Sequence, residues 1–262
     1  MIRKSLAPLF ALALIAAPVF AAPQDAPKSD AVTVTEDATS FTLSNGIVTA
    51  KVLKRNGDLI NLFYRGEDTL TNQSGHAGAY WSHDASPYPQ SPPEFHITKV
   101  TIDPKDNGGT RAEVSVKSIA NGHKLGRPAG LQAGAEGDFP ADIEIRYTLN
   151  KGEPGTYTYC ILEHKPEYPA GSIGEARYCA KLASMFDWLS VDEHRNKYYP
   201  REEPGEDKYV YTAVQSENLA YGWSSTTKHI GWWIINPTIE YLSGGPTKVE
   251  FLCHRDTTAV EA

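Results

Sequence analysis

The sequence predicts an all-β protein, a large antiparallel β-sandwich. Two features carry the prediction. Short runs rich in β-branched and aromatic residues recur along the 262 residues, with Gly, Pro, Asn and Asp between them. Several runs alternate apolar and polar residues, as in Ile143, Ile145 and Tyr147, and again in Val249, Phe251 and Cys253. Helical periodicity offers little competition: the one helix candidate, Ala183–Leu189, is too short to shape the fold.

The strands follow in order. Phe41–Ser44 and Ile47–Leu53 flank Asn45-Gly46, a dipeptide that supplies the positive φ a tight hairpin turn needs. Leu59–Tyr64 follows the turn residues Asn56-Gly57-Asp58. Further strands are expected at Phe95–Ile102, Arg111–Ser118, Asp142–Leu149, Tyr157–His164, Ala176–Ala183, Tyr209–Val214, Tyr221–Ser225, His229–Ile235 and Lys248–Cys253. The continuous apolar run Ile230–Ile235 holds Trp232 and Trp233 and reads as a central strand covered on both faces. Trp188 and Trp223 are likewise expected in the core. No internal repeat is visible. The longest irregular stretches are Gly75–Pro93 and Asn121–Pro140; the first holds Tyr80, Trp81, His83, Asp84 and Tyr88, a composition suited to stacking on sugar rings.

The N-terminus reads as an export signal. Arg3 and Lys4 precede an apolar run from Leu6 to Val19, and Val19-Phe20-Ala21 is a small-x-small cleavage site. The run is shorter than the ~20 apolar residues of a membrane span. Residues 1–21 are therefore expected to be a signal peptide, 22–40 a leader, and the product secreted or periplasmic, with no membrane association after cleavage. The formal net charge is −7, and losing Arg3 and Lys4 makes it more negative. Such a balance excludes a nucleic-acid partner, which calls for a basic surface; an anionic polymer would need a local cationic patch instead. The three cysteines, Cys160, Cys179 and Cys253, sit in apolar strand contexts and read as buried small hydrophobes, with at least one unpaired by their odd number.

The chain has no G-x-S-x-G elbow and no P-loop, and Gly244-Gly245-Pro246 reads as a turn between strands. The carboxylate pairs Asp192-Glu193 and Glu202-Glu203 lie in polar runs, a weak basis for glycosidase chemistry. No cofactor is expected, and no catalytic metal. A structural calcium in the acidic stretch Asp187–Glu193 is conceivable, without EF-hand spacing to support it. More suggestive is the region Gly174–Tyr211. An extended Gly174–Leu182 would put Arg177, Cys179 and Lys181 on one face. Lys208 then lies between an acidic loop and an aromatic strand, where Tyr209 and Tyr211 share a face and serve either sugar stacking or core packing. A second cation close to Lys208 would lower its pKa toward that of a base.

Gly231–Asp256 (GWWIINPTIEYLSGGPTKVEFLCHRD) resembles a signature of the rhamnogalacturonan lyases, polysaccharide lyase family four. Phe41–Val52, Gly57-Asp58-Leu59, Tyr80-Trp81-Ser82-His83, Gly174–Leu182, Asn196–Pro200 and Asp207–Tyr211 are similar to further blocks of that family, in the same order. The resemblance implies a galactose-mutarotase-like supersandwich over residues 41–262. It also implies β-elimination at rhamnosyl-(1→4)-galacturonate bonds of the pectic polysaccharide rhamnogalacturonan I, with that acidic polymer as partner. By the same resemblance, Lys208 matches a proposed catalytic base and Arg177 a substrate-binding arginine that would neutralise the uronate carboxylate. Tyr209, Tyr211, His83 and Trp81 are further candidates for substrate contact. The histidine that serves as acid in the family lies in a segment downstream of the strand pair containing Gly244-Gly245-Pro246, so the acid is expected beyond Ala262 and the domain incomplete at its C-terminus. His254 could stand in, although its place before Arg255-Asp256 suits a charge-paired structural role. Two other readings remain: a pectin-binding remnant without catalysis, and an aldose-epimerase-like enzyme, for which the histidines are too scattered.

Overall fold

A computed structural model of the chain describes residues 29–71, 78–83, 96–120, 141–168, 176–190, 196–198, 220–235, 250–254 and 257–261. The expected signal and the first part of the leader (residues 22–28), the Asn121–Pro140 stretch, the Tyr209–Val214 strand and Gly244-Gly245-Pro246 lie outside the described residues. No described helix is long and apolar enough to cross a membrane.

The described architecture is antiparallel β throughout, with one short 3-10 turn at Pro104–Asn107. Seventeen strands form three sheets among the described residues. The largest sheet is built from β1 (Thr33–Glu36), β2 (Ser40–Ser44), β3 (Val48–Leu53), β4 (Leu59–Tyr64), β5 (Glu67–Asp68), β6 (Ala79–His83), β11 (Ala176–Lys181), β16 (Glu250–His254) and β17 (Thr257–Glu261). Its order is β1-β2-β3-β4-β6-β11-β17-β16, with β5 hairpinned onto β4. The second sheet has the order β10-β9-β8-β7, from β7 (His96–Ile102), β8 (Arg111–Ser118), β9 (Asp142–Asn150) and β10 (Thr156–Glu163). The third has the order β13-β12-β14-β15, from β12 (Trp188–Ser190), β13 (Asn196–Tyr198), β14 (Ala220–Ser224) and β15 (Gly231–Ile235).

Alternation places the core. Leu43, Val48, Ala50, Val52 and Leu59 of the first sheet meet Val114, Val116, Ile143, Ile145 and Tyr147 of the second in one cluster, which Leu189, Trp223 and Trp232 of the third also join. The Asn45-Gly46 turn forms as expected, with Gly46 at φ 79°. Asn45 adds a long-range tie. Its Oδ1 accepts from the Ile47 and Val48 N–H groups at 3.0 and 2.9 Å, and its Nδ2 donates to the Asn150 and Glu153 carbonyls, each at 2.8 Å. The β2–β3 turn is thereby fastened to the end of β9 in the other sheet.

Three sequence expectations change. Residues 79–83, read as part of a loop, are strand β6 in the middle of the largest sheet; flanking glycines and prolines hid a five-residue strand whose partners are distant in sequence. The helix candidate Ala183–Leu189 is a turn leading into β12. Among the described residues, strand β15 lies at the edge of the third sheet with one face packed on the core, so Trp232 is buried whereas Trp233 is 46% exposed.

Candidate active site

Strand β11 is the axis of the site. It pairs with β6 on one side, in the register Ala176↔His83, Arg177↔Ser82, Tyr178↔Trp81, Cys179↔Tyr80 and Ala180↔Ala79, and with β17 on the other. Directly opposed residues of an antiparallel pair share a face. One face thus carries Ala79, Trp81, Tyr178 and Ala180, which face the second sheet: Trp81 packs on Tyr178 with ring centroids 5.4 Å apart, and its Nε1 donates to Thr158 Oγ1 of β10 at 3.0 Å. The other face holds the register positions of Arg177, Cys179, Lys181, Tyr80 and Ser82. The expected alternation of Arg177, Cys179 and Lys181 is therefore realised. Cys179 and Lys181 are both buried. The backbone of Lys181 fixes the strand further: its N–H donates to Gly78 O, and its carbonyl accepts from Thr71 N–H, each at 3.0 Å.

The singled-out residues are distributed as follows. Arg177 lies beside β6, opposite Ser82. His83 is one pair along, opposite Ala176, and so takes a register position on the other face from Arg177. The Trp81 ring is committed to the space between the sheets. Lys208, Tyr209 and Tyr211 lie outside the described residues. His254 ends β16, opposite Thr257 of β17. Sequence alone does not join Tyr80 and Ser82 to Arg177: the local signal is the period-two pattern of Ala79–His83, and its register depends on a strand almost a hundred residues away.

Ionisable groups elsewhere are held by partners. Behind Trp81, burial pushes the Tyr178 hydroxyl above its ordinary pKa, and burial together with the Tyr178 contact does the same to Tyr147. On the outward side of the second sheet, burial works against ionisation of Glu113, but hydrogen bonds from Thr148, Thr101 and Tyr159, with the Arg146 charge, outweigh it and hold the carboxyl below its usual range. Glu144 is held low in the same way against its burial, by Arg146 at 2.7 Å and Ser115 at 2.6 Å. These paired carboxylates are consumed by structure, which leaves them ill suited to acid–base work. No three His, Cys, Asp or Glu residues among those described are grouped to hold a metal ion. Asp187, at the start of the stretch considered for calcium, accepts from Thr226 N–H at 2.9 Å and from its hydroxyl at 2.5 Å. Cys160 and Cys179 carry thiols and form no disulfide; burial pushes the Cys160 thiol up to about 12.

Comparison with known proteins adds one match. The model of the rhamnogalacturonate lyase family matches residues 127–225. No curated protein matches the chain. The matched segment runs from before β9 through β14 and includes Arg177, Lys208, Tyr209 and Tyr211. The family that the sequence resembles is thus the family whose model it matches, and over that segment the chain is rhamnogalacturonate lyase-like.

Proposed function

We propose that this protein is an exported polysaccharide lyase that cleaves rhamnosyl-(1→4)-galacturonate bonds of rhamnogalacturonan I by β-elimination. The observation that carries the reading is the place of Arg177. In the register it lies opposite Ser82 on an inner strand of the largest sheet, within the segment that matches the family. A guanidinium there suits the uronate carboxylate, because it can grip both oxygens and stabilise the negative charge that builds up as the C5 proton leaves.

In this mechanism Lys208, as the neutral amine, removes the C5 proton of galacturonate. The C4–O bond breaks, a C4–C5 double bond forms, and the departing rhamnosyl-linked oxygen takes up a proton. Tyr209 and Tyr211 follow Lys208 at alternate positions and supply sugar contacts beside it. A neutral lysine needs a lowered pKa, and Arg177 drawn close by the bound carboxylate would provide the neighbouring cation.

Ultraviolet absorbance during incubation of the purified chain with rhamnogalacturonan I tests this directly, beside Lys208→Ala. Absorbance from an unsaturated uronate should grow with the wild-type chain and stay flat with the variant. Reducing ends appearing without that absorbance would mean hydrolysis and overturn the reading. Polymer binding without any product would assign the chain to the pectin-binding alternative.

A further inference from the structure

We infer that the outward face of the third sheet is a stacking platform for a neutral pyranose of the polysaccharide, with Trp233 as its base. The inference rests on the polysaccharide reading above and names a contact surface that reading does not contain. Strand β15 puts Trp232 and Trp233 on opposite sides: Trp232 is 9% exposed and Trp233 is 46% exposed. The Trp233 ring does not project freely from the sheet. A Cβ built on Gly231 would stand 1.7 Å from its Cη2 and 2.0 Å from its Cζ3, so the indole lies over Gly231 and fills the space a side chain would need. Glycine at 231 is what lets the ring lie down. One side of the indole then rests on backbone, and the residue as a whole keeps 46% of its surface exposed.

The surroundings specify the occupant. Tyr198, Trp188, Ser224 and Gly231 line up across the four strands in one row of the register. Tyr198 is 54% exposed, and Trp188 Nε1 donates to Asn196 Oδ1, which holds that second indole in orientation. Every outward position of these four strands is uncharged, and hydroxyls and an amide lie among the rings. Flat aromatic surface suits the axial C–H face of a pyranose, while short polar groups suit its hydroxyls. An uncharged platform matches a neutral sugar, not a uronate, so in an alternating polymer it takes the unit between carboxylates. The exposed tyrosines of β10 differ: the Tyr159 hydroxyl donates to Glu113, and Arg146 lies over its ring.

The test is binding of the full chain to rhamnogalacturonan I and to polygalacturonate, which lacks neutral units, by affinity electrophoresis at low and high salt. Trp233→Ala should weaken binding to rhamnogalacturonan I roughly tenfold, the order of one aromatic contact. The loss should be equal at both salt concentrations, with polygalacturonate binding unchanged. Gly231→Ala keeps the indole but displaces it, and should reproduce the loss; unchanged far-ultraviolet circular dichroism controls for folding in both variants. Wild-type affinity for rhamnogalacturonan I in both variants, with Arg177→Gln impaired, would overturn the platform and leave the lyase reading standing. An equal loss on polygalacturonate would overturn the assignment to a neutral sugar. A wild-type chain that binds neither polymer would overturn both readings. Unaltered polymer binding with a dimer converted to monomer by Trp233→Ala would give the face to a second copy of the chain.

Discussion

Trp81 Nε1 donates to Thr158 Oγ1 at 3.0 Å, a side-chain hydrogen bond between the first and second sheets. Trp81→Phe retains much of the ring and removes the donor. It should lower unfolding free energy by about 1 kcal/mol, the usual net worth of such a bond plus a smaller packing loss. Thr158→Val removes the other partner. Urea denaturation of both single variants and the double variant should show the double costing less than the sum, because one bond is lost only once. Strict additivity would show that the bond contributes nothing.

Asn45 is a stronger fastening. It is fully buried and makes four hydrogen bonds, two within its own turn and two to the end of β9 and the turn after it. Asn45→Ala should cost about 3 kcal/mol, since buried amides and carbonyls lose their partners together. Asn45→Asp keeps the two acceptor bonds and turns a carboxylate toward the two carbonyls. It should be at least as damaging, visible as a lower denaturation midpoint.

Acid should unfold the protein through the second sheet. Asp142, Glu113 and Glu144 are each opposed by burial, yet each is held below its ordinary range by hydrogen bonds and cations. A folded-state carboxyl pKa below the unfolded value means that the unfolded chain binds more protons in that range. The stabilisation is complete above about pH 4.5, the ordinary carboxylate value, and is lost as pH falls through the lower folded values. Denaturation midpoints measured from pH 6 downward, to about pH 2.5, should fall over that acid range. Glu113→Gln should flatten the slope while lowering the plateau.

Arg177 should matter more to the chemistry than to folding. In the proposed lyase, Arg177→Gln should lower kcat/KM by about 10²-fold, the order seen when one donor to a developing oxyanion is removed. Thermal stability should change little. Arg177→Lys should recover part of the rate, because the charge returns without the two-pronged grip. A variant with wild-type turnover would remove Arg177 from the site.

Much of this arrangement is legible in the sequence where the signal is local. Strand β9 announces itself through Ile143, Ile145 and Tyr147, and the structure buries all three. The turn at Asn45-Gly46 and the common face of Arg177 and Lys181 are equally local. Strand β6 is different: glycines and prolines surround its five residues, and its long pairing is with β11, far along the chain. Its place beside Arg177 is a fact of register that no short window contains. Trp233 shows the opposite limit. An unbroken apolar run looks the same whether a strand is covered on one face or two, and only the packing of a single face on the core separates Trp232 from Trp233.

Asp142 lies at the stem of the 121–140 stretch. It accepts from Ala120 N–H at 3.0 Å and from the Tyr168 hydroxyl at 2.5 Å, and pairs with Lys165 at 2.8 Å, while Ala120 and Ala141 are both buried. The two ends of that stretch are therefore clasped by residues outside it. Closing a loop grows costlier only slowly with length, by about 0.6 kcal/mol per doubling. With β8 and β9 clasped independently at this point, replacing residues 121–140 by a short linker should leave the pairing of these two strands intact.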